Sequence, residues 1–381
     1  MSSLDRYQEA LRKCQIEGTY RTLPQLELRG KNVLVNGQLL LNLNSNDYLG
    51  LQDEPELFQE FLSTQGKCYP PSSASSRLLT GNDSPYRAFE EELTFAYQAE
   101  SALLWDSGYH ANSGIIPVLT LPDTLILADR LVHASIIDGI RLSQAPFQRF
   151  RHNDVQHLET LITRYREQYS TIWIVTESLF SMDGDFAPLQ EITALKHKYP
   201  QIHIYLDEAH AVGTYGHEGL GYAEALGLLP EIDILIGTLG KALGSVGAYS
   251  IQSSTLRELF ISRARPLIFS TALPPLNVAW SHFVFKKVRK MQDRRAHLQS
   301  LIQLFNKEMQ TDFPSQIIPL IQPGEERVST AAKAFCENGF YIRPIRKPTV
   351  PQGSERLRLS LTAAMTPQEI TQITQLCKQL S

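Results

Sequence analysis

Five short apolar runs between residues 102 and 236 each end in small, polar or ionisable residues. Asp106-Ser107-Gly108-Tyr109 follows Ala102–Trp105, and Asp129 with His133-Ala134-Ser135 follows Leu125–Ala128. Thr176-Glu177-Ser178, then Ser181-Met182-Asp183-Gly184, follow Thr171–Val175. Asp207-Glu208-Ala209-His210 follows Ile202–Leu206, and Gly237-Thr238-Leu239-Gly240-Lys241 follows Ile232–Ile236. In an open α/β sheet, ligands bind beyond the carboxyl ends of the strands, so the five segments read as one site.

Each segment alone has a plainer reading, as a helix cap or a solvated loop. Asp207-Glu208-Ala209-His210 also spells the metal-binding box of one helicase class. That reading needs an upstream Gly-Lys-Ser/Thr phosphate loop, whereas Gly240-Lys241 lies downstream and precedes Ala242. His210, His217 and Glu218 match no compact zinc spacing, so no metal is expected. No Gly-x-Gly-x-x-Gly follows an early strand, which disfavours a dinucleotide fold. Pyridoxal 5'-phosphate accounts for all five segments together. It needs a lysine for its Schiff base, a carboxylate against its ring nitrogen and a helix N-terminus for its phosphate. Asp207 ends a buried run where its charge requires a partner, and Lys241 follows 34 residues later. Ser107-Gly108-Tyr109 offers N–H groups at a helix start, Thr238 a hydroxyl, and His133 a ring to stack.

Positioning these residues falls to the apolar runs, which alternate with amphipathic segments as βαβ units of a mostly parallel sheet do. Before them, Leu4, Tyr7, Leu11 and Cys14 recur at helical spacing, and Asn36-Gly37 suits a type I′ hairpin. Ser84-Pro85 opens a helix with Phe89, Leu93 and Ala96 on one side. Residues Trp280 to Met309 read as one long helical stretch leading into a smaller α+β domain. That domain ends in a helix opened by the capping box Thr366–Glu369. The expected division is an N-terminal helix-and-hairpin arm (1–45), a large α/β domain (46–280) and a small C-terminal α+β domain (281–381). Lys+Arg 36 against Asp+Glu 40 gives a net charge of -4, which argues against nucleic acid as a partner. No apolar run reaches membrane-spanning length. Cys14, Cys68, Cys336 and Cys377 lack paired spacing, and the first residues lack an apolar signal core. A cytoplasmic protein is expected.

Asn44–Gly50, Asp129–Ser135, Phe180–Asp185, Asp207–Gly213, Gly237–Lys241 and Phe269–Pro275 together resemble the α-oxoamine synthase family of fold-type I pyridoxal phosphate enzymes. The resemblance covers nearly the whole chain and implies a homodimer. It implies that Lys241 carries the cofactor and shuttles the Cα proton, and that Asp207 holds the ring nitrogen. It also implies that His210 and Ser181 approach the ring hydroxyl and that His133 stacks on the ring. Ser107, Gly108, Tyr109 and Thr238 take the phosphate side, and Ser270-Thr271 reaches the partner subunit's phosphate. Arg358 grips the amino-acid carboxylate, with Thr349, Asn46, His133 and Arg21 as further substrate contacts. Pro348–Leu359 is most like the branch that condenses L-alanine with a pimeloyl thioester, carried on CoA or an acyl carrier protein, in biotin synthesis. Glycine with acetyl-CoA, serine with a long-chain acyl thioester, or a silent binding paralogue are the alternatives. The chain departs from the family at Ser73–Ser76, where glycines are usual, and at Tyr86 and Met365, where histidines are common. These departures bear on acyl specificity.

Overall fold

The buried Leu, Ile and Val runs become the middle of a seven-stranded sheet. In chain order its strands are β1 (Ser101–Trp105), β2 (Thr124–Asp129), β3 (Phe147–Phe150), β4 (Thr171–Glu177), β5 (Ile202–Asp207), β6 (Ile234–Thr238) and β7 (Ala248–Gln252). Their spatial order is β1-β7-β6-β5-β4-β2-β3. Strands β2 to β6 run parallel, while β7 is antiparallel to both its neighbours. The sheet is thus mostly parallel, as expected for a fold-type I α/β transferase.

Two of these strands do not announce themselves by an apolar run. β3 is an edge strand of sequence FQRF with three exposed residues. β7 is buried, but its sequence AYSIQ is half polar. It follows β6 after only nine residues, so no crossover helix separates the two. In that link Leu239 N–H donates to Gly247 O at 2.9 Å, Ser245 N–H to Leu239 O at 2.9 Å and Gly244 N–H to Lys241 O at 2.9 Å.

Helices cover both faces of the sheet. On one, Ala111, Ile115, Ile136, Ile140 and Phe260 pack against Ile126, Val175, Tyr205 and Ile236. On the other, Leu158, Ile162, Leu189 and Ile192 pack against Leu127, Ile174 and Ile204. Each fully buried aliphatic or aromatic side chain contributes about 1.5–3 kcal/mol of transfer free energy. Register sets the strand ends level. Glu177 pairs with Asp207, Asp207 with Ile236, and both Thr238 and Trp105 with Ala248.

The computed structural model describes residues 3–64 and 68–380, and these divide into two units. Asp47–Ser181 with Asp185–His297 form the unit just described; Met1–Asn46, Met182–Gly184 and Leu298–Ser381 form the other. In the second unit, strands Glu27–Arg29, Asn32–Val35 and Gln38–Asn42 are antiparallel, and Phe340–Tyr341 adds in parallel to the last. The hairpin turns at Asn36 (φ 49) and Gly37 (φ 79), the left-handed pair that a type I′ turn demands. Arg356–Ser360 is the central strand of a separate three-stranded sheet. The final helix is Pro367–Leu380. At its start Thr366 N–H donates to Glu369 Oε2 at 2.7 Å, and Glu369 N–H donates back to Thr366 Oγ1 at 3.3 Å.

The stretch expected as one long helix is two, Pro275–Val288 and Gln292–Met309. Arg295 fills the break. Its guanidinium donates to Val288 O at 2.7 Å and Arg289 O at 3.3 Å, adding to the bonds those carbonyls accept from Met291 N–H and Gln292 Nε2. No helix among the described residues is long and apolar enough to cross a membrane.

Candidate active site

β5 delivers Asp207 to the carboxyl edge of the sheet at 5% exposure. Its Oδ2 accepts from Asn112 Nδ2 at 2.8 Å, and its Oδ1 accepts from Ala209 N–H at 2.9 Å. Asn112 is fixed in turn, because Tyr205 Oη donates to Asn112 Oδ1 at 2.5 Å. Asp207 therefore rests on neutral donors and has no salt-bridge partner among the described residues. Beside it on β4, Glu177 is fully buried and accepts the His133 backbone N–H at 2.6 Å. Burial, reinforced by the neighbouring Asp207 charge, pushes the Glu177 carboxyl well above the usual range. Of the two adjacent buried carboxyls, Glu177 is the one whose charged form burial disfavours. The next residue, Glu208, is also buried, and burial pushes its pKa up to about 7. Hydrogen bonds from Ser178, Tyr222 and Ala223 pull the other way.

Lys241 lies in the link between β6 and β7, with Nζ 2.9 Å from His210 Nε2. The other ring nitrogen of His210 lies 2.6 Å from Tyr48 Oη. A lysine ammonium only donates, so His210 accepts at Nε2 and its Nδ1–H faces Tyr48. His133 caps the helix Ala134–Ser143, its Nδ1 accepting from Ser135 N–H at 3.2 Å. That bond leaves the proton on Nε2. Burial lowers the His133 pKa, and nearby Lys241 adds to the lowering against an opposing pull from Asp207. The ring is neutral at pH 7.

Ser107 caps the helix Gly108–Leu119, its Oγ accepting from His110 N–H at 3.1 Å. The first-turn N–H groups at Gly108 and Tyr109 have no intrahelical acceptor, and a Cβ on Gly108 would meet nothing within 4 Å. The Tyr109 hydroxyl donates to Asp138. Thr238 sits two strands across from the end of β1, its Oγ1 donating to Gly247 O at 3.3 Å. Ser270 hydrogen-bonds the Asp106 carboxylate, which places it beside the Ser107 loop, and Thr271 is exposed. Ser181 lies on the loop after β4 and is half-buried.

The sequence departures have structural partners. Tyr86 Oη and Ser73 Oγ both donate to Leu273 O, at 3.1 and 2.6 Å, and Ala272 N–H donates to Ser75 O at 2.9 Å. These bonds tie the serine segment to the Ser270–Pro275 turn. Met365 is buried at 1% exposure.

The four remaining candidates fall in the other unit. Arg21 donates to Thr349 Oγ1 at 2.9 Å. Arg358 is buried on its strand and donates to Ser360 Oγ at 2.7 Å. Asn46 is half-buried. Tyr48, Asn112 and Glu177 are supporting residues that the spacing argument gave no role. Asn112 could have been noticed as the amide on the buried side of an otherwise apolar helix.

The family model described as aminotransferase class I and II matches residues 39–376. A relative from Glaesserella parasuis serovar 5 (strain SH0165), named "Putative 8-amino-7-oxononanoate synthase", is 48% identical over 373 residues, 96% of this chain and 98% of the relative. A relative of the same name from Haemophilus influenzae (strain ATCC 51907 / DSM 11121 / KW20 / Rd) is 48% identical over 97% of this chain and 99% of its own. Among solved structures, a serine palmitoyltransferase from S. paucimobilis with a bound PLP–myriocin aldimine matches with a TM-score of 0.88 at 27% identity, covering 100% of this chain and 97% of that one. The 8-amino-7-oxononanoate synthase from Francisella tularensis matches with a TM-score of 0.74 at 27% identity, over 89% and 97%.

Proposed function

The chain belongs to the class I and II aminotransferase family, and from that premise we propose that it condenses L-alanine with a pimeloyl thioester. The products are 8-amino-7-oxononanoate, carbon dioxide and free thiol, a step of biotin synthesis. The protein is a pyridoxal 5'-phosphate-dependent transferase. The reading is supported by near-full-length identity of 48% to relatives named "Putative 8-amino-7-oxononanoate synthase"; the Francisella tularensis synthase and the serine palmitoyltransferase are both 27% identical. A higher TM-score for the latter reflects a shared backbone, and substrate choice lives in side chains.

The donor set fits the cofactor. Asp207 is a buried carboxylate held by neutral donors, so a cationic ring nitrogen completes its charge balance. Gly108 leaves an open cradle at a helix N-terminus, suited to a phosphate, with Ser107, Tyr109 and Thr238 around it. When bound, the protonated ring supplies an electron sink for the pair released as the Cα–H bond breaks. Lys241 takes and returns that proton at Nζ, and His210 orients Nζ through its Nε2. Neutral His133 would stack on the ring without adding a second positive charge, and Ser181 would serve the ring hydroxyl. Arg358 would grip the amino-acid carboxylate, which an arginine can hold through two parallel hydrogen bonds. Thr349, Asn46 and Arg21 serve the substrate side.

The protein acts as a homodimer in this reading. Exposed Leu78, Leu79 and Phe269 lie on two segments joined by the Ala272–Ser75 bond, and Leu4, Tyr7 and Leu11 form an uncovered helix stripe. Ser270 and Thr271 then serve the partner's phosphate. Product masses and steady-state rates with alanine or glycine, each against pimeloyl or acetyl thioester, test the reaction. Alanine should exceed glycine by a modest factor, because one methyl in an apolar pocket is worth about 1–3 kcal/mol. Turnover of glycine with acetyl-CoA, and none of alanine with pimeloyl thioester, would refute the assignment.

A further inference from the structure

We propose that His152 is a positioning residue whose ring ties the loop carrying His133 to the loop carrying Ser181, and so sets where both side chains meet the cofactor. The inference rests on the assignment of those two residues to the cofactor's ring.

His152 sits just beyond the edge strand β3. Its Nδ1 lies 3.0 Å from Asp129 Oδ1 and its Nε2 2.8 Å from Asp185 Oδ2. With a carboxylate at each nitrogen, both nitrogens donate and the ring is an imidazolium. Burial alone would lower its pKa; the bonds to Asp129 and Asp185 outweigh that and push it up to about 10.

Each carboxylate organises one loop. Asp129, 0% exposed at the end of β2, also accepts Leu131 N–H at 2.7 Å and Asn153 N–H at 2.9 Å. It thereby fixes the turn that ends at His133. Asp185 closes the stretch that begins at Phe180, since Phe180 N–H donates to Asp185 O at 3.0 Å. Its Oδ2 also accepts Asn153 Nδ2 at 2.9 Å, while its Oδ1 is buried with no hydrogen-bond partner. The Asp185 charge therefore rests on His152 and Asn153. The imidazolium further packs edge-on against Phe180, the residue before Ser181, with centroids 4.4 Å apart at 88°. One side chain thus fixes two loops whose tips the sequence separates by 48 residues.

The test compares wild type, His152→Gln and His133→Ala for apoprotein melting, cofactor dissociation constant, visible circular dichroism of the bound cofactor, and kcat against KM. Losing a supporting bond behind a ligand-holding residue typically costs tenfold or more. His152→Gln should therefore weaken cofactor binding about tenfold, change the visible dichroic band and lower kcat more than it raises KM for the amino acid. An unchanged band and affinity, even with a lower melting temperature, would reduce His152 to a structural ion pair and overturn the inference. Should His152→Gln fail to fold, Asp185→Asn removes one arm only and must produce the same dichroic change. An unchanged band in His133→Ala sinks the cofactor assignment and the inference with it. A changed band there, beside an unchanged one in His152→Gln, sinks the inference alone.

Discussion

At the amino end of the seven-stranded sheet, Asp233 meets Lys196 Nζ at 2.7 Å and accepts Ile204 N–H at 2.8 Å. Nearby, His197 pairs with Glu231 at 2.8 Å and Lys198 with Glu159 at 2.6 Å. Asp233 and Glu159 thus each have a lysine counter-ion from the chain itself. At the carboxyl end of the same strands, Glu177, Asp207 and Glu208 are buried and held by backbone N–H groups, an amide and a hydroxyl. At the amino end folding supplies the partner charge, as His152 does for Asp129 at the end of β2; Glu177, Asp207 and Glu208 beside it rest on neutral donors alone. That asymmetry tells a functional edge from a structural one more surely than the presence of ionisable residues, which both ends share.

The harshest test removes the Lys241 amine. Lys241→Ala should abolish turnover while leaving melting nearly unchanged, because the residue is half-exposed in the β6–β7 link. Borohydride reduction should fix the cofactor to Lys241 in wild type and to nothing in the variant. Attachment to another lysine would refute the assignment.

A subtler test separates the two adjacent carboxylates. Asp207→Asn leaves the arriving cation without its partner, a loss of about 3–5 kcal/mol, or roughly 10²–10⁴-fold in kcat/KM. Glu177→Gln replaces a carboxyl that is already protonated and keeps an acceptor for the His133 N–H, so kcat/KM at pH 7 should change less than about threefold. Equal losses in both variants would mean that both groups carry charge, and the contrast between the strands would collapse.

The smallest effect belongs to the amino end. Asp233→Asn should leave kinetics unchanged and cost at most about 1 kcal/mol of stability at pH 7. Burial acts to raise the Asp233 pKa, but hydrogen bonds from His203, Lys196 and Ile204 leave it below the usual value. A carboxylate with a depressed folded pKa contributes stability above its unfolded pKa, about 3.9, and loses it as pH falls through the folded value. Melting curves of wild type and variant should therefore begin to converge only as pH falls below about 4 and meet below the depressed folded value. A gap that persists in acid would show that the loss was packing and not charge.

Strands β2, β4 and β5 were legible because burial on both faces leaves runs of Leu, Ile and Val. β3 was not, since an exposed edge tolerates Gln148 and Arg149. With β3 unread, His152 had no strand end to mark it. Glu177 stood in plain view after its run, yet only the register that sets it against Asp207 distinguishes it from a helix cap. The Arg21–Thr349 bond joins residues 328 positions apart, and no local spacing could have paired them. The helix break at 289–291 was hidden because Arg295, whose guanidinium bridges it, reads in sequence as a surface charge.

The antiparallel strand β7 has a consequence in time. Because it turns back after nine residues, the segment bearing Lys241 is anchored in the sheet at both ends and crossed by its own hydrogen bonds. Its backbone lacks the length for the nanosecond-to-microsecond excursions of an open loop. What remains to Nζ is rotamer motion, on the scale of picoseconds to nanoseconds. A proton carried by this lysine moves on the clock of a side chain, far faster than any turnover it serves.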